Sequence, residues 1–128
     1  MEKSLQSAIL SQIGVSKKEF KNNVSDYQNA QNGIPGFCYY SETHKFAIDN
    51  QKDIIDLLEQ QADDMGEDVV EMVNSFGVFR TNGMDKEEKK DLYKFLGGNK
   101  DLDSYETTSV LNVLAWFAVE SLAFEFDN

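Results

Sequence analysis

The sequence is poor in the residues and motifs that usually indicate an enzyme. It has one cysteine, one proline and one histidine in 128 residues. The single cysteine, Cys38, excludes a disulfide within the chain and favours a reducing compartment. No P-loop, dinucleotide fingerprint, CxxC pair or HExxH motif occurs. A Cys38–His44 pair would need a third, orienting group. We therefore predict no catalytic residue and no cofactor, with His44 at a surface or interface and Cys38 as a small core residue.

Long apolar segments are missing as well. The N-terminus has no apolar stretch or small-residue cleavage site of the kind found in secretion signals. The longest apolar run, around residues 110–119, is too short to span a bilayer. No linker, repeat or low-complexity tract divides the chain. These absences predict one domain, residues 1–128, in a soluble cytoplasmic protein without membrane contact.

Positive charge is scarce. The chain has 12 Lys and Arg against 23 Asp and Glu, giving a net charge of −11. Residues 49–76 hold nine acids and one base, a sum of −8, and residues 101–128 hold six acids and no base, a sum of −6. Nucleic-acid binding needs lysine and arginine side chains that displace counterions from phosphates, so direct binding to DNA or RNA is not expected. The expected partners are basic: a nucleic-acid-binding protein, a basic peptide or a metal ion.

The most acidic stretch, residues 49–76, has apolar residues at helical spacing over positions 54–65. This pattern predicts an amphipathic helix, followed by a second helix after Gly66. The carboxylates at positions 49, 53, 56, 63 and 67 fall three, four or seven apart, which predicts one solvent-facing row. The candidate partner-binding carboxylates are Asp49, Asp53, Asp56, Glu59, Asp63, Asp64, Glu67, Asp68 and Glu71.

Two interpretations of this acidic face remain open. Carboxylates one helical turn apart are about 5–6 Å from each other, a spacing comparable to that of phosphates along a DNA strand, so the face could occupy a basic nucleic-acid groove. Alternatively, it is a solvated surface that keeps a small protein soluble. Like charges at i,i+4 each cost a few tenths of a kcal/mol, and Lys52 is the only base in the stretch, which favours a functional use.

The remaining pattern is helical. We predict a helix at Lys3–Ile13 that Gly14 ends, a Ser16–Glu19 capping box, and a following helix whose apolar face is Phe20, Val24 and Tyr27. Further helices are predicted at residues 41–50 and after 85, with a loop at 77–84. The last helix, about residues 104–126, is apolar nearly all round and should be the central one. The fold class is all-α, with five to seven helices and a possible short extended segment at residues 34–40.

Two other segments could contact a partner. The aromatic segment at residues 34–40 contains Tyr39 and Tyr40, which would form a contact patch beside the acidic helix unless they pack in the core. A second acidic patch is expected from the C-terminal acids. Its members are Asp101, Asp103, Glu120, Glu125 and Asp127.

The block Asn32–Phe46, NGIPGFCYYSETHKF, together with the acidic helix after it, resembles small proteins of unknown function encoded by phages and mobile elements. In size, helicity and acidity the chain also resembles anti-restriction and anti-CRISPR proteins that imitate DNA. This resemblance implies a non-enzymatic inhibitor that acts by occupancy. The leading hypothesis is a monomer or homodimer that occupies the basic nucleic-acid channel of a host defence nuclease. The alternatives are an immunity or antitoxin-like protein that binds a toxin, and a metal-binding protein or enzyme built on the carboxylate cluster.

Overall fold

The computed structural model describes residues 1–28, 34–67 and 108–127, and every regular element within them is an α-helix. The predicted all-α class is therefore confirmed for this part of the chain. The helix predicted after Gly66, the loop at 77–84 and the helix after residue 85 lie outside the described residues. In chain order the helices are α1 (Lys3–Ile13), α2 (Lys17–Asn22), α3 (Val24–Tyr27), α4 (Tyr40–Asp49), α5 (Gln51–Asp64) and α6 (Thr108–Phe126).

Helix α1 has the bounds that its sequence predicts. Leu5, Ile9 and Ile13 recur every four residues and are all buried, so they form its core-facing side. Gly14 ends the helix in the left-handed conformation, with φ of 86°, and its N–H donates to the Leu10 carbonyl at 2.9 Å. Glycine adopts this conformation without the steric cost that a Cβ would bring.

The predicted helix after residue 16 is divided into α2 and α3. The capping box is present: the Glu19 N–H donates to Ser16 Oγ at 3.1 Å, and the Ser16 N–H donates to Glu19 Oε1 at 3.4 Å. The helix breaks at Asn23, whose φ and ψ are −127° and 29°. Phe20 and Tyr27 are nevertheless both buried, and their rings stack with centroids 4.4 Å apart.

A turn replaces the short strand that the sequence allowed before α4. The Phe37 N–H donates to the Ile34 carbonyl at 3.0 Å, and Gly36 between them has φ of 85°. Ile34 and Phe37 are buried, and the Phe37 ring packs edge-on against Phe46 of α4 with centroids 5.0 Å apart. The turn therefore anchors the chain to the core immediately before α4 begins.

Helix α6 is the central helix, as predicted. Each of the other five described helices contacts it. Its residues are buried on several sides, which explains why the sequence is apolar nearly all round. The buried apolar residues of α6 are Leu114, Ala115, Phe117, Ala118, Val119, Leu122 and Ala123. At its end, Phe126 packs edge-on against Phe20, and the ammonium groups of Lys17 and Lys21 lie 5.4 and 5.0 Å from the centre of the Phe126 ring.

Candidate functional site

The outer face of α5 carries three exposed carboxylates at helical spacing. Asp56, Glu59 and Asp63 are three and four residues apart, and we call them the acidic row. The buried residues of α5 lie on the opposite, inner face of the helix. Because that face packs against the core, the acidic row faces solvent. Those buried residues are Ile54, Leu57, Leu58 and Ala62.

The longer row predicted from the sequence is not continuous. Asp49 is the last residue of α4, and Asn50 separates it from α5. Asp53 faces α1, where it accepts a hydrogen bond from Ser4 Oγ at 2.9 Å. Glu67 follows Gly66, whose φ of 70° lies in the left-handed region just after α5 ends, and is only half-exposed. Asp68 and Glu71 lie outside the described residues.

Two of these carboxylates are paired with lysines of the chain itself. The Lys45 ammonium bonds Asp49, and the Lys52 ammonium lies 3.0 Å from Asp56 Oδ2. The hydrogen bond to Asp56, and then its charge, raise the pKa of Lys52. Both pairs are exposed and therefore weak. Lys45 lies outside the acidic stretch of residues 49–76. The stretch is therefore neutralised more than its own single base, Lys52, indicates.

Besides Asp53, which bonds Ser4, three acids of α5 hold no ion pair within the described ranges: Glu59, Asp63 and Asp64. All three are exposed. Glu59 and Asp63 belong to the acidic row, whereas Asp64 lies at its flank and lines a groove between α5 and α6. These three carboxylates are the strongest candidates for contact with a basic partner.

The groove between α5 and α6 has a volume of about 420 Å³. Leu57 and Phe117 are buried residues that line it, and Phe124 lines it with 53% of its surface exposed. Gln61 of α5 donates from Nε2 to Ser121 Oγ of α6 at 3.5 Å within the lining. The sequence pattern does not predict this groove, because the groove depends on how α5 packs against α6.

The second acidic patch expected at the C-terminus is corrected by the structure. Glu120 is buried, with 4% of its surface exposed, and it lines the groove. Glu125 Oε2 lies 3.2 Å from the Met1 ammonium, and Asp127 Oδ2 accepts from Gln28 Nε2 at 2.7 Å. The carboxyl group of Glu120 suggested an exposed position. The residue lies instead on a buried side of an otherwise apolar helix. Asp101 and Asp103 are outside the described residues.

The aromatic segment before α4 is divided between core and surface. Ile34 and Phe37 are buried, whereas Tyr39 is 69% exposed and remains available for contact. Cys38 is exposed, and its Sγ donates to the Ile34 carbonyl at 3.2 Å, so its predicted position in the core is wrong. Tyr40 begins α4, but its side chain lies outside the described part.

His44 is half-buried, so its imidazole lies only partly at the surface. Burial lowers the pKa of His44, and a side-chain hydrogen bond with Asn112 of α6 partly opposes this effect. The imidazole thus links α4 to the central helix. Because Cys38 hydrogen-bonds a backbone carbonyl and His44 bonds Asn112, each has a structural contact in this arrangement.

The described residues contain no group of three or more His, Cys, Asp or Glu side chains arranged to hold a metal ion. None of their helices has the length and hydrophobicity that a bilayer crossing requires.

The described surface therefore offers an acidic row and an adjacent groove as its main candidates for binding. A family model described as "Domain of unknown function (DUF7222)" matches residues 2–127. No curated protein and no solved structure matches the chain significantly.

Proposed function

We propose that this chain, which belongs to the DUF7222 family, is a non-enzymatic binding protein that presents the carboxylates of α5 to a basic protein surface. Its target would be the nucleic-acid channel of a host defence nuclease, a CRISPR effector or a restriction enzyme. The chain would be encoded by a phage or mobile element and would act in the host cytoplasm. One observation carries the proposal: Glu59, Asp63 and Asp64 are exposed on a single helix and hold no ion pair within the described residues.

The charge distribution supports this role. Four lysines of the described part already have partners: Lys45 and Lys52 pair with acids, and Lys17 and Lys21 lie over the Phe126 ring. They leave the far half of α5 negative, and neighbouring carboxylates on one helix repel each other. Lysine and arginine side chains of a partner would relieve that repulsion. The negative field that destabilises the free protein would therefore favour binding.

The mechanism would be exclusion of DNA or RNA from the target channel. Carboxylates spaced one helical turn apart would meet lysines and arginines that otherwise contact phosphates. Opposite fields would speed the encounter, so association would be fast at low salt and slower as salt screens the charges. This mechanism needs no cofactor and no bond-making step.

The experiment is a charge reversal on the acidic row. Glu59→Lys with Asp63→Lys removes the two unpaired members of the row and leaves the groove residue Asp64 unchanged. The control is Glu2→Lys with Asp26→Lys, which changes two exposed acids of other segments by the same total charge. Asp53 and Asp56 are left alone because they bond Ser4 and Lys52.

Inhibition is measured as DNA cleavage by a purified restriction nuclease and by a Cas effector, at low and moderate salt. We expect the wild type to inhibit at least one class, the row variant to lose tenfold or more, on the order of 1.4 kcal/mol, and the control to stay near wild type. Equal loss in both variants would indicate only a net-charge effect. Unchanged inhibition by the row variant would refute the proposed surface.

A further inference from the structure

We infer that the groove between α5 and α6 receives an arginine side chain of the partner, beside the contacts that the acidic row makes. This inference rests on the proposed function, since it assigns a second contact to the same basic surface. The groove combines an apolar floor, an exposed aromatic ring and carboxylates in its lining. This combination matches a long side chain with an apolar stem and a cationic end.

The apolar part of the groove fits the stem of such a side chain. Leu57 and Phe117 present apolar surface between the two helices. The methylene groups of arginine gain from contact with such surface while the charged end stays near water. A volume of about 420 Å³ is within the range of pockets that hold small ligands, so one side chain with its flanking backbone can enter.

The polar part of the groove favours a cation. Asp64, Glu120 and Glu125 line it, and the base in its lining is the Met1 ammonium, 3.2 Å from Glu125. That contact shows that a cationic nitrogen fits against the carboxylate edge. An incoming cation at the Asp64 side would meet a carboxylate that has no ion pair within the described ranges.

The aromatic ring selects arginine over lysine. Phe124 is half-exposed beside the carboxylates, so a planar guanidinium can stack on its face and still bond a carboxylate through two N–H groups. A lysine ammonium is a more strongly hydrated point charge and forms no such paired bond. The neighbouring Phe126 ring already accepts two cations from within the chain, Lys17 and Lys21.

The test uses capped amino acids, so that it does not depend on knowing the partner. The full chain is titrated with N-acetyl-arginine amide and followed by amide chemical shifts, with the lysine and glutamine analogues as matched probes. We expect saturable shifts at groove residues such as Leu57 and Ser121. The arginine probe should bind at least about threefold more tightly than the lysine probe, which is the fold-change expected for one exposed stacking contact.

Two pairs of variants locate the site. Asp64→Asn should weaken arginine binding several-fold, whereas Asp63→Asn, an adjacent acid on the outer row, should change it little. Phe124→Ala should abolish the preference for arginine over lysine, whereas Tyr39→Ala, which removes another exposed aromatic ring outside the groove lining, should preserve it. The helix content of each variant, measured by circular dichroism, serves as the control for folding.

Absence of groove shifts with the arginine probe would overturn the inference, and so would equal weakening by Asp64→Asn and Asp63→Asn. Neither result affects the proposed function, which is judged by nuclease inhibition with the acidic-row variant. Conversely, arginine binding in the groove combined with unchanged inhibition by the row variant would remove the proposed function and leave the groove as a cation site.

Discussion

Gln12 and Gly36 hold α1 against the turn that precedes α4. The Gln12 side chain donates from Nε2 to the Gly36 carbonyl at 2.7 Å, and the backbones are so close that a Cβ on Gly36 would lie 2.0 Å from the Gln12 carbonyl oxygen. Gly36 also has φ of 85°, in the left-handed region. Conformation and space therefore both require glycine at this position.

We expect Gly36→Ala to destabilise the fold strongly. The left-handed conformation costs an alanine about 1–2 kcal/mol, and the clash with Gln12 requires a backbone shift that adds about 1–3 kcal/mol. Gly14→Ala is the matched control, because Gly14 has nearly the same φ, 86°, but nothing within 4 Å of an added Cβ. Denaturant unfolding should show the conformational cost alone for Gly14→Ala. Equal losses in the two variants would contradict the close approach.

A second prediction concerns the capping box of α2. Ser16→Ala removes the acceptor for the Glu19 N–H at the start of a helix of only six residues. Loss of an N-cap acceptor costs about 0.5–2 kcal/mol, which urea unfolding would detect. Ser11→Ala, an exposed position inside α1, is the control and should be neutral or slightly stabilising, because alanine has the higher helix propensity. An unchanged free energy of unfolding in the Ser16→Ala variant would show that the cap is dispensable.

A third prediction concerns Phe20, which joins α2 to α3 and to the end of α6. The residue is fully buried, stacks on Tyr27 and packs edge-on against Phe126. Phe20→Ala should lower the free energy of unfolding by about 3–5 kcal/mol, because it leaves a cavity among three elements. Phe124→Ala, at a half-exposed ring of the same type, should cost much less. Similar losses at both positions would contradict this packing.

A fourth prediction concerns pH. Burial lowers the pKa of His44 in the folded protein below its ordinary value of 6.5. The folded state therefore favours the neutral imidazole, and the stability that this provides is complete above pH 6.5 and is lost as pH falls through the lower, folded pKa. We expect the wild type to lose more stability than His44→Gln between pH 7.5 and 5.5.

The comparison with the variant is essential, because acidification also protonates some of the 23 carboxyl groups and relieves their mutual repulsion. That contribution is common to both proteins and cancels in the difference. His44 is the only histidine, so no other imidazole contributes. Unfolding curves that shift in parallel with pH would show that His44 does not titrate differently in the folded and unfolded states.

Local patterns in the sequence predicted local structure well. Helix α1 and its end at Gly14 follow from apolar residues four apart and a glycine after them, and the capping box follows from Ser16 and Glu19. The break at Asn23 did not follow, because Phe20, Val24 and Tyr27 suit one continuous helix as well as two. The Asn23 side chain donates to the Glu19 carbonyl at 2.9 Å, a local bond by which asparagine competes with regular helix geometry.

Features that depend on packing could not be predicted in this way. Periodicity places the acidic row on the outer face of α5, but it does not show that Asp53 meets Ser4 of α1 or that Lys45 reaches Asp49. The groove exists only because α5 and α6 lie side by side, and the buried Glu120 is part of its lining. One signal for Glu120 was available: an acid inside a helix that is apolar nearly all round is a candidate for burial.

The exposed thiol of Cys38 provides a site for attaching a label in binding measurements. As the only cysteine in the chain, it can take a single maleimide fluorophore without any prior substitution. The thiol does not line the groove and lies outside α5, so a dye there would leave Asp64 and the acidic row chemically unmodified. Fluorescence anisotropy of the labelled wild-type chain could then follow capture by a basic protein at nanomolar concentrations.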